Sequence, residues 1–253
     1  MKPIIGFMIA ALLLPVLAQA AAVEVEITGY VEYNQIRSGQ LSVVSPNDPV
    51  TMYFQVDSGN FLDSSTFPTR GYGVIHETYS YTLGPVTVGL QDPYPAGRVP
   101  YFVIRNNDPQ VDGFFMSDNN VDWPFPPPPL DEPGRFGPFG GNFEVGYTGD
   151  TLQSLDILDA LGTYDYDGLT NFYFVISDGP FDAMGLIFQQ MTIRLVPVEV
   201  ADDVKPGSCP NPVNVTSRGT LPVAILGTAD LDVTTIDPDS IRLAGVPALS
   251  SSF

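Results

Sequence analysis

The stretch "VEVEITGYVE", Val23–Glu32, carries the signal on which the fold turns. Val23, Val25, Ile27 and Val31 fall on one side of an extended chain, and Glu24, Glu26, Thr28 and Glu32 on the other. Successive side chains of a strand point to opposite faces, so this alternation marks a strand with one buried and one wet face. The same period recurs outward from it. Met52, Phe54 and Val56 alternate with Thr51, Tyr53, Gln55 and Asp57. Ile75, Glu77, Tyr79, Tyr81 and Leu83 share a face, and "GPVTVGL" from Gly84 follows as a hairpin partner or a bent continuation. "YFVIR" from Tyr101, "NFEVGYT" from Asn142, "NFYFVIS" from Asn171 and "GLIFQQMTIRLVPV" from Gly185 complete the set of predicted strands.

Two stretches depart from this pattern. In "DTLQSLDILDALG", Asp150–Gly162, Leu152, Leu155, Leu158 and Leu161 recur at every third position, with Asp150 placed as an N-cap and Gly162 as a stop. That spacing fits a helix, and a short strand around Leu155 to Leu158 fits equally. Between Asn106 and Gly141 the alternation fails. "WPFPPPPLDEPGRFGPFGG" cannot form a central strand, because proline gives the ladder no N–H, and the region reads as a long loop. Many short strands, frequent turns (24 Gly and 25 Pro) and little helix predict an all-β protein, an antiparallel β-sandwich of jelly-roll or Ig-like type, with a closed barrel as the nearest rival.

Hydrophobic residues make up 44% of the chain, enough for a packed core. Acids outnumber bases 29 to 10, a formal net charge of −19, which excludes a nucleic-acid partner because phosphates require a basic footprint. Lys2, the apolar run Ile4–Leu17 and Ala18-Gln19-Ala20 read as an export leader, too short to span a bilayer. The expected mature protein is secreted or held at the cell surface, with no membrane span. A single cysteine, Cys209, cannot form an internal disulfide. It sits among prolines as a small apolar filler, the other reading being an intermolecular disulfide.

Near the C-terminus, "DVKPGSCPNPVNVTSRGTLPVAILGTADLDVTTIDPDSIRLAGV", Asp203–Val246, resembles a module of large exported prokaryotic proteins with the pattern IKPGS.PN..N..S.G.LPVAIL.T..FD..TIDP.S..L.G. Lys205-Pro206-Gly207, Pro210-Asn211, Leu221–Leu226 and Ile236-Asp237-Pro238 fall in order. The resemblance implies a continuation into an Asp- and Gly-rich calcium loop, which this sequence does not reach. The module is therefore expected to be either truncated or completed by something else. The preceding part, through its G-x-V opening strand and "SLDILDALGTYDYDGLTNFYFVIS" from Ser154, is similar to the β-rich ectodomains of PEP-CTERM-type exported proteins, without their terminal anchor. The predicted organisation is a signal peptide over 1–20, a β-sandwich over 21–198, a linker over 199–204 and a short partial β module over 205–253.

Candidate chemistry is sparse. The only histidine, His76, lies among threonines and serine with no G-x-S-x-G in the chain, and one His with one Cys cannot build a zinc site. Calcium takes oxygen ligands from closely spaced acids. Asp118, Asn120 and Asp122 resemble the start of such a loop, although Trp123 stands where glycine is needed; Asp165 and Asp167 before Gly168, and Asp230 with Asp232, are further pairs. Ordinary turns use the same residues. Glu77, Glu132 and Glu144 are the carboxylates a glycosidase would draw on. Trp123 and Phe125 open the proline loop and could stack on a sugar ring or fold back onto the sandwich. No cofactor is required, and calcium is the one ion with candidate ligands. The expected function is a non-enzymatic binding or structural protein contacting polysaccharide or envelope components. The alternative is a glycan-active or calcium-dependent carbohydrate-binding module of an extracellular enzyme.

Overall fold

A computed structural model describes residues 20–179, 182–197, 200–207, 216, 219–227 and 233–251. The leader, Cys209, Pro210-Asn211 and the pair Asp230 and Asp232 lie outside the described residues. The chain divides into two units, Met1–Val196 and Pro197–Phe253.

The first unit is built from β1 (Ala22–Asn34), β2 (Pro49–Asp63), β3 (Thr69–Val74), β4 (Ser80–Leu83), β5 (Val86–Val88), β6 (Pro100–Arg105), β7 (Val111–Asp118), β8 (Pro129–Pro133), β9 (Pro138–Thr148), β10 (Gly162–Tyr164), β11 (Leu169–Ser177) and β12 (Ala183–Leu195). Eight of them run β1-β12-β11-β9-β7-β6-β3-β2, and β2 pairs back onto β1. The sheet therefore closes into an eight-stranded antiparallel barrel, which corrects the predicted open sandwich. The closing strand is the one whose alternation opened the sequence. β1 pairs with β2 from Ala22↔Asp57 to Tyr30↔Pro49 and, on its other edge, with β12 from Val23↔Leu195 to Asn34↔Met184. A sandwich and a barrel bury the same alternate residues, so the period could not separate them; only the second edge of β1 does. β4 and β5 extend β2, β8 lies along β9, and β10 lies along β12.

Glycine permits the tight curvature at two points. A Cβ on Gly29, at the β1 bulge, would stand 2.1 Å from the Ile187 carbonyl oxygen. One on Gly113 in β7 would stand 2.3 Å from that of Val145. The interior is filled by side chains. Val25, Ile27, Met52, Phe54, Phe102, Phe114, Phe143, Phe174 and Phe188 are all fully buried. Phe102 stacks on Phe114 at 5.7 Å and tilts against Phe54 at 5.3 Å. Each such side chain contributes about 1.5–3 kcal/mol by leaving water.

Three local readings change. The strand expected over Ile75–Leu83 is interrupted at His76–Thr78 by a 3₁₀ turn, where Thr78 Oγ1 donates to the Ile75 carbonyl and accepts from Gln55 N. Within the presumed loop 106–141 lies β7, "VDGFFMSD". It is buried on both faces, with Phe114 and Met116 inside the barrel and Phe115 outside against Val103 and Val121, so it shows no alternation. The leucine-rich stretch 150–162 is neither helix nor strand through residue 161 but a series of turns. Leu152, Ile157 and Ala160 are buried in the barrel core cluster. The barrel residues pin this segment. Tyr72 OH donates to the Leu155 carbonyl (2.8 Å) and accepts from Ile157 N (2.9 Å), and Asp112 Oδ2 accepts from Leu152 N (2.7 Å).

The second unit contains two small antiparallel pairs, β13 (Asp202–Val204) with β14 (Val223–Ile225) and β15 (Arg242–Leu243) with β16 (Val246–Pro247). Asp237 caps a 3₁₀ turn over Pro238–Ser240. Leu226, Val246 and Leu249 are exposed, as expected where two-residue and three-residue strands enclose little core.

Candidate functional site

The end of β7 leads into a proline segment that lies over the outer faces of β9 and β11. Asn119 takes a positive φ of 57°, tolerated by an asparagine. Asn120 then braces the segment from within: its Nδ2 donates to the carbonyls of Trp123 (3.1 Å) and Phe125 (2.8 Å), and its Oδ1 accepts from Asp122 N (2.8 Å). Asp118 N donates to the Pro126 carbonyl at 2.8 Å. The result holds the Phe125 ring outward, 54% exposed, with its centroid 6.3 Å from that of Tyr173 on β11. Trp123 is 55% exposed and meets the edge of Phe67 at 4.8 Å.

Beneath Phe125 and Tyr173 is an open cleft of about 350 Å³, whose polar lining is Arg98, Asp118, Asn142, Ser177 and Asp178 and whose remaining wall is largely proline. Asp118 is buried. Its Oδ1 accepts from Tyr94 OH at 3.0 Å, and Arg98 forms an ion pair with its Oδ2. Burial raises the Asp118 pKa above the usual carboxylate value, against the opposing pull of the Tyr94 hydrogen bond and the Arg98 charge. Burial, with the Asp118 charge beside it, also pushes the Tyr94 phenol up. Asn142 is 3% exposed and its Oδ1 has no hydrogen-bond partner. Asp178 Oδ2 accepts from the backbone N–H groups of Arg135 and Phe136, while its Oδ1 has no partner.

The predicted site residues thus separate. Phe125 and Asp118 line the cleft; Trp123 does not, although the same asparagine anchors it. Asn120 and Asp122 face each other within the segment. Asp165 and Asp167 form a turn in which Asp165 Oδ1 accepts from Asp167 N at 2.8 Å. Among the described residues, no three His, Cys, Asp or Glu side chains converge in a way that could hold a metal ion. His76 Nε2 lies 3.1 Å from the Gln91 carbonyl. Of the candidate glycosidase acids, Glu132 accepts from Gln40 and Glu144 lies 3.6 Å from Arg105. Sequence reasoning missed Arg98, Asn142, Tyr173 and Asp178. The alternation of "NFYFVIS" places Tyr173 outward, but nothing local sets it beside Phe125. Among the described residues, no helix is long and apolar enough to cross a membrane.

No family model, no curated protein and no solved structure matches this chain.

Proposed function

We propose that this is an exported, non-catalytic protein that binds a polysaccharide through the cleft between the proline segment and β11. The observation that carries the reading is the pair of exposed rings, Phe125 and Tyr173, standing over a polar floor that includes Asn142. A pyranose has an apolar C–H face and hydroxyls around its edge. Aromatic walls suit the first and buried acceptors the second. The acidic balance of the chain favours neutral over acidic sugars. The test is calorimetric titration of the mature chain with soluble neutral polysaccharides, alongside Phe125→Ala and Tyr173→Ala. Binding weakened at least tenfold by each variant supports the reading. Wild-type silence across glucans, mannans, xylans and chitin oligomers removes it.

One observation favours a glycan-active alternative: Asp118, with a raised pKa, lines the same cleft as a second carboxylate, Asp178. Its ion pair with Arg98 weighs against a proton-donating role. Turnover of any oligosaccharide that is abolished by Asp118→Asn would establish that alternative.

A further inference from the structure

The glycan-binding reading leaves a group of polar atoms beside the cleft unexplained. Ser117 is fully buried on the outward face of β7, and its Oγ has no hydrogen-bond partner. The β7–β9 register ends at Phe115↔Glu144; carried two residues further, it sets Ser117 opposite Asn142, whose Oδ1 is likewise unpartnered. Facing residues on one side of an antiparallel pair lie about 4.5–5.5 Å apart at Cβ. Two neighbouring hydrogen-bonding groups are thus withdrawn from water with no protein partner, an arrangement that costs stability and is rare in a finished fold.

The segment that follows β7, Asn119–Pro128, borders the cleft beside Asn142 through Phe125, Pro126 and Pro127 and has few donors to offer the pair. Four of its ten residues, Pro124 and Pro126 to Pro128, have no backbone N–H to offer. Its side-chain attachments are Val121, which joins Val103 and Phe115 in a small cluster separate from the barrel core, and Pro127, whose Cγ lies 2.5 Å from where a Cβ on Gly140 would stand. Three backbone bonds also hold it, and opening must break or bend them: Asn119 N to the Val99 carbonyl (2.7 Å), Asp118 N to that of Pro126 (2.8 Å) and Gly141 N to that of Pro128 (3.1 Å). Asn120 binds carbonyls within the segment itself, so the segment can keep its shape while it moves.

We infer that Asn119–Pro128 is a lid, and that beneath it Ser117 and Asn142 form a second subsite for adjacent hydroxyls of the sugar held at Tyr173. This rests on the glycan-binding reading and adds the subsite and its gate. Ser117 can donate and accept, and Asn142 Oδ1 accepts, so a vicinal diol matches the pair.

A reversible lock tests it. Val121 Cγ1 lies 2.4 Å from the Cβ position of Gly71, which brings a Gly71→Cys/Val121→Cys pair within disulfide reach in a Cys209→Ser background. The full mature chain is titrated, oxidised and reduced, with cellohexaose, mannohexaose and chitohexaose, and exchange of the Asp118 amide is followed in both forms. The expected result is at least tenfold tighter binding when reduced, and slower Asp118 exchange when oxidised. Ser117→Ala, measured alone, should leave the melting temperature unchanged or raised and weaken binding at least fivefold. Equal affinity in the two redox forms overturns the lid and leaves the glycan reading standing. No binding in either form removes the glycan reading; the lid then stands if oxidation slows Asp118 exchange and falls if it does not.

Discussion

Replacing Tyr72 by Phe isolates the contact that holds the leucine-rich segment against the barrel. The ring stays, so no cavity forms, and the substitution deletes one oxygen that is both donor and acceptor. Two groups lose their partner. The Ile157 N–H is buried, and an unpaired buried group costs about 1–3 kcal/mol. The Leu155 carbonyl is only part-buried and can turn toward water, so its share is nearer the net worth of one hydrogen bond, about 0.5–1.5 kcal/mol. The expected loss is about 2–4 kcal/mol. With a urea slope of about 2 kcal/mol/M, the unfolding midpoint should fall by about 1–2 M, with the slope unchanged. Hydrogen exchange should quicken at Ile157 and Leu158 while the β1 and β12 amides fall only with global stability. A midpoint within 0.2 M of wild type (roughly 0.4 kcal/mol at that slope), together with unaltered exchange at Ile157, would refute the claim that this hydroxyl fastens the segment.

Gly29→Ala should destabilise the barrel by about 2–4 kcal/mol in the same urea assay, because the new methyl meets the Ile187 backbone rather than a movable side chain; a neutral result would mean the bulge can shift. Tyr72, Tyr79, Tyr81, Tyr94, Tyr147 and Tyr164 all have phenols raised by burial, Tyr164 to about 12. Their contribution is whole below the unfolded value near pH 10 and is lost as pH rises through the folded values, so phenolate absorbance from these six should appear only as β circular dichroism disappears. The Asp118 carboxyl is also raised, so its contribution is whole below about pH 4 and is lost as pH climbs through its folded value. Wild type should therefore lose stability relative to Asp118→Asn between pH 3.5 and 7 (a span set around the roughly 3.9 of a free carboxyl). The opposite trend would show the Arg98 pair outweighing burial. Chelation of calcium should leave the melting temperature unmoved, since Asn120 spends its carboxamide on the loop and Asp165 Oδ1 on its own turn; a fall would point to a bound cation.

The sequence by itself determined which side chains enter the core. In β1 from Val23 to Val31, and in β2 from Val50 to Val56, every second residue is apolar and buried, because the two faces of a strand are fixed by chain geometry. In β12 the period slips at Gln189-Gln190, so that Met184, Leu186 and Phe188 and then Met191 and Ile193 are buried while Leu195 is exposed. It also limited the catalytic possibilities, since a single histidine and a single cysteine restrict the chemistry before any folding occurs. Pairing was not legible. Whether the second edge of β1 meets β12 depends on residues 150 to 172 positions away (from Asn34↔Met184 to Val23↔Leu195) and leaves no local mark. β7 was hidden because both of its faces are covered, which erases the period that betrays a strand. The leucine spacing of 150–162 fits a helix and a short strand equally, yet Tyr72 and Asp112 supply hydrogen bonds that either would have made with its own kind of partner, and the segment forms turns instead. The candidate cleft belongs to the tertiary structure for the same reason. Phe125, Asn142, Tyr173 and Asp178 come from three separate stretches of chain, and only the register of β9 with β11 and the course of the proline segment bring them together.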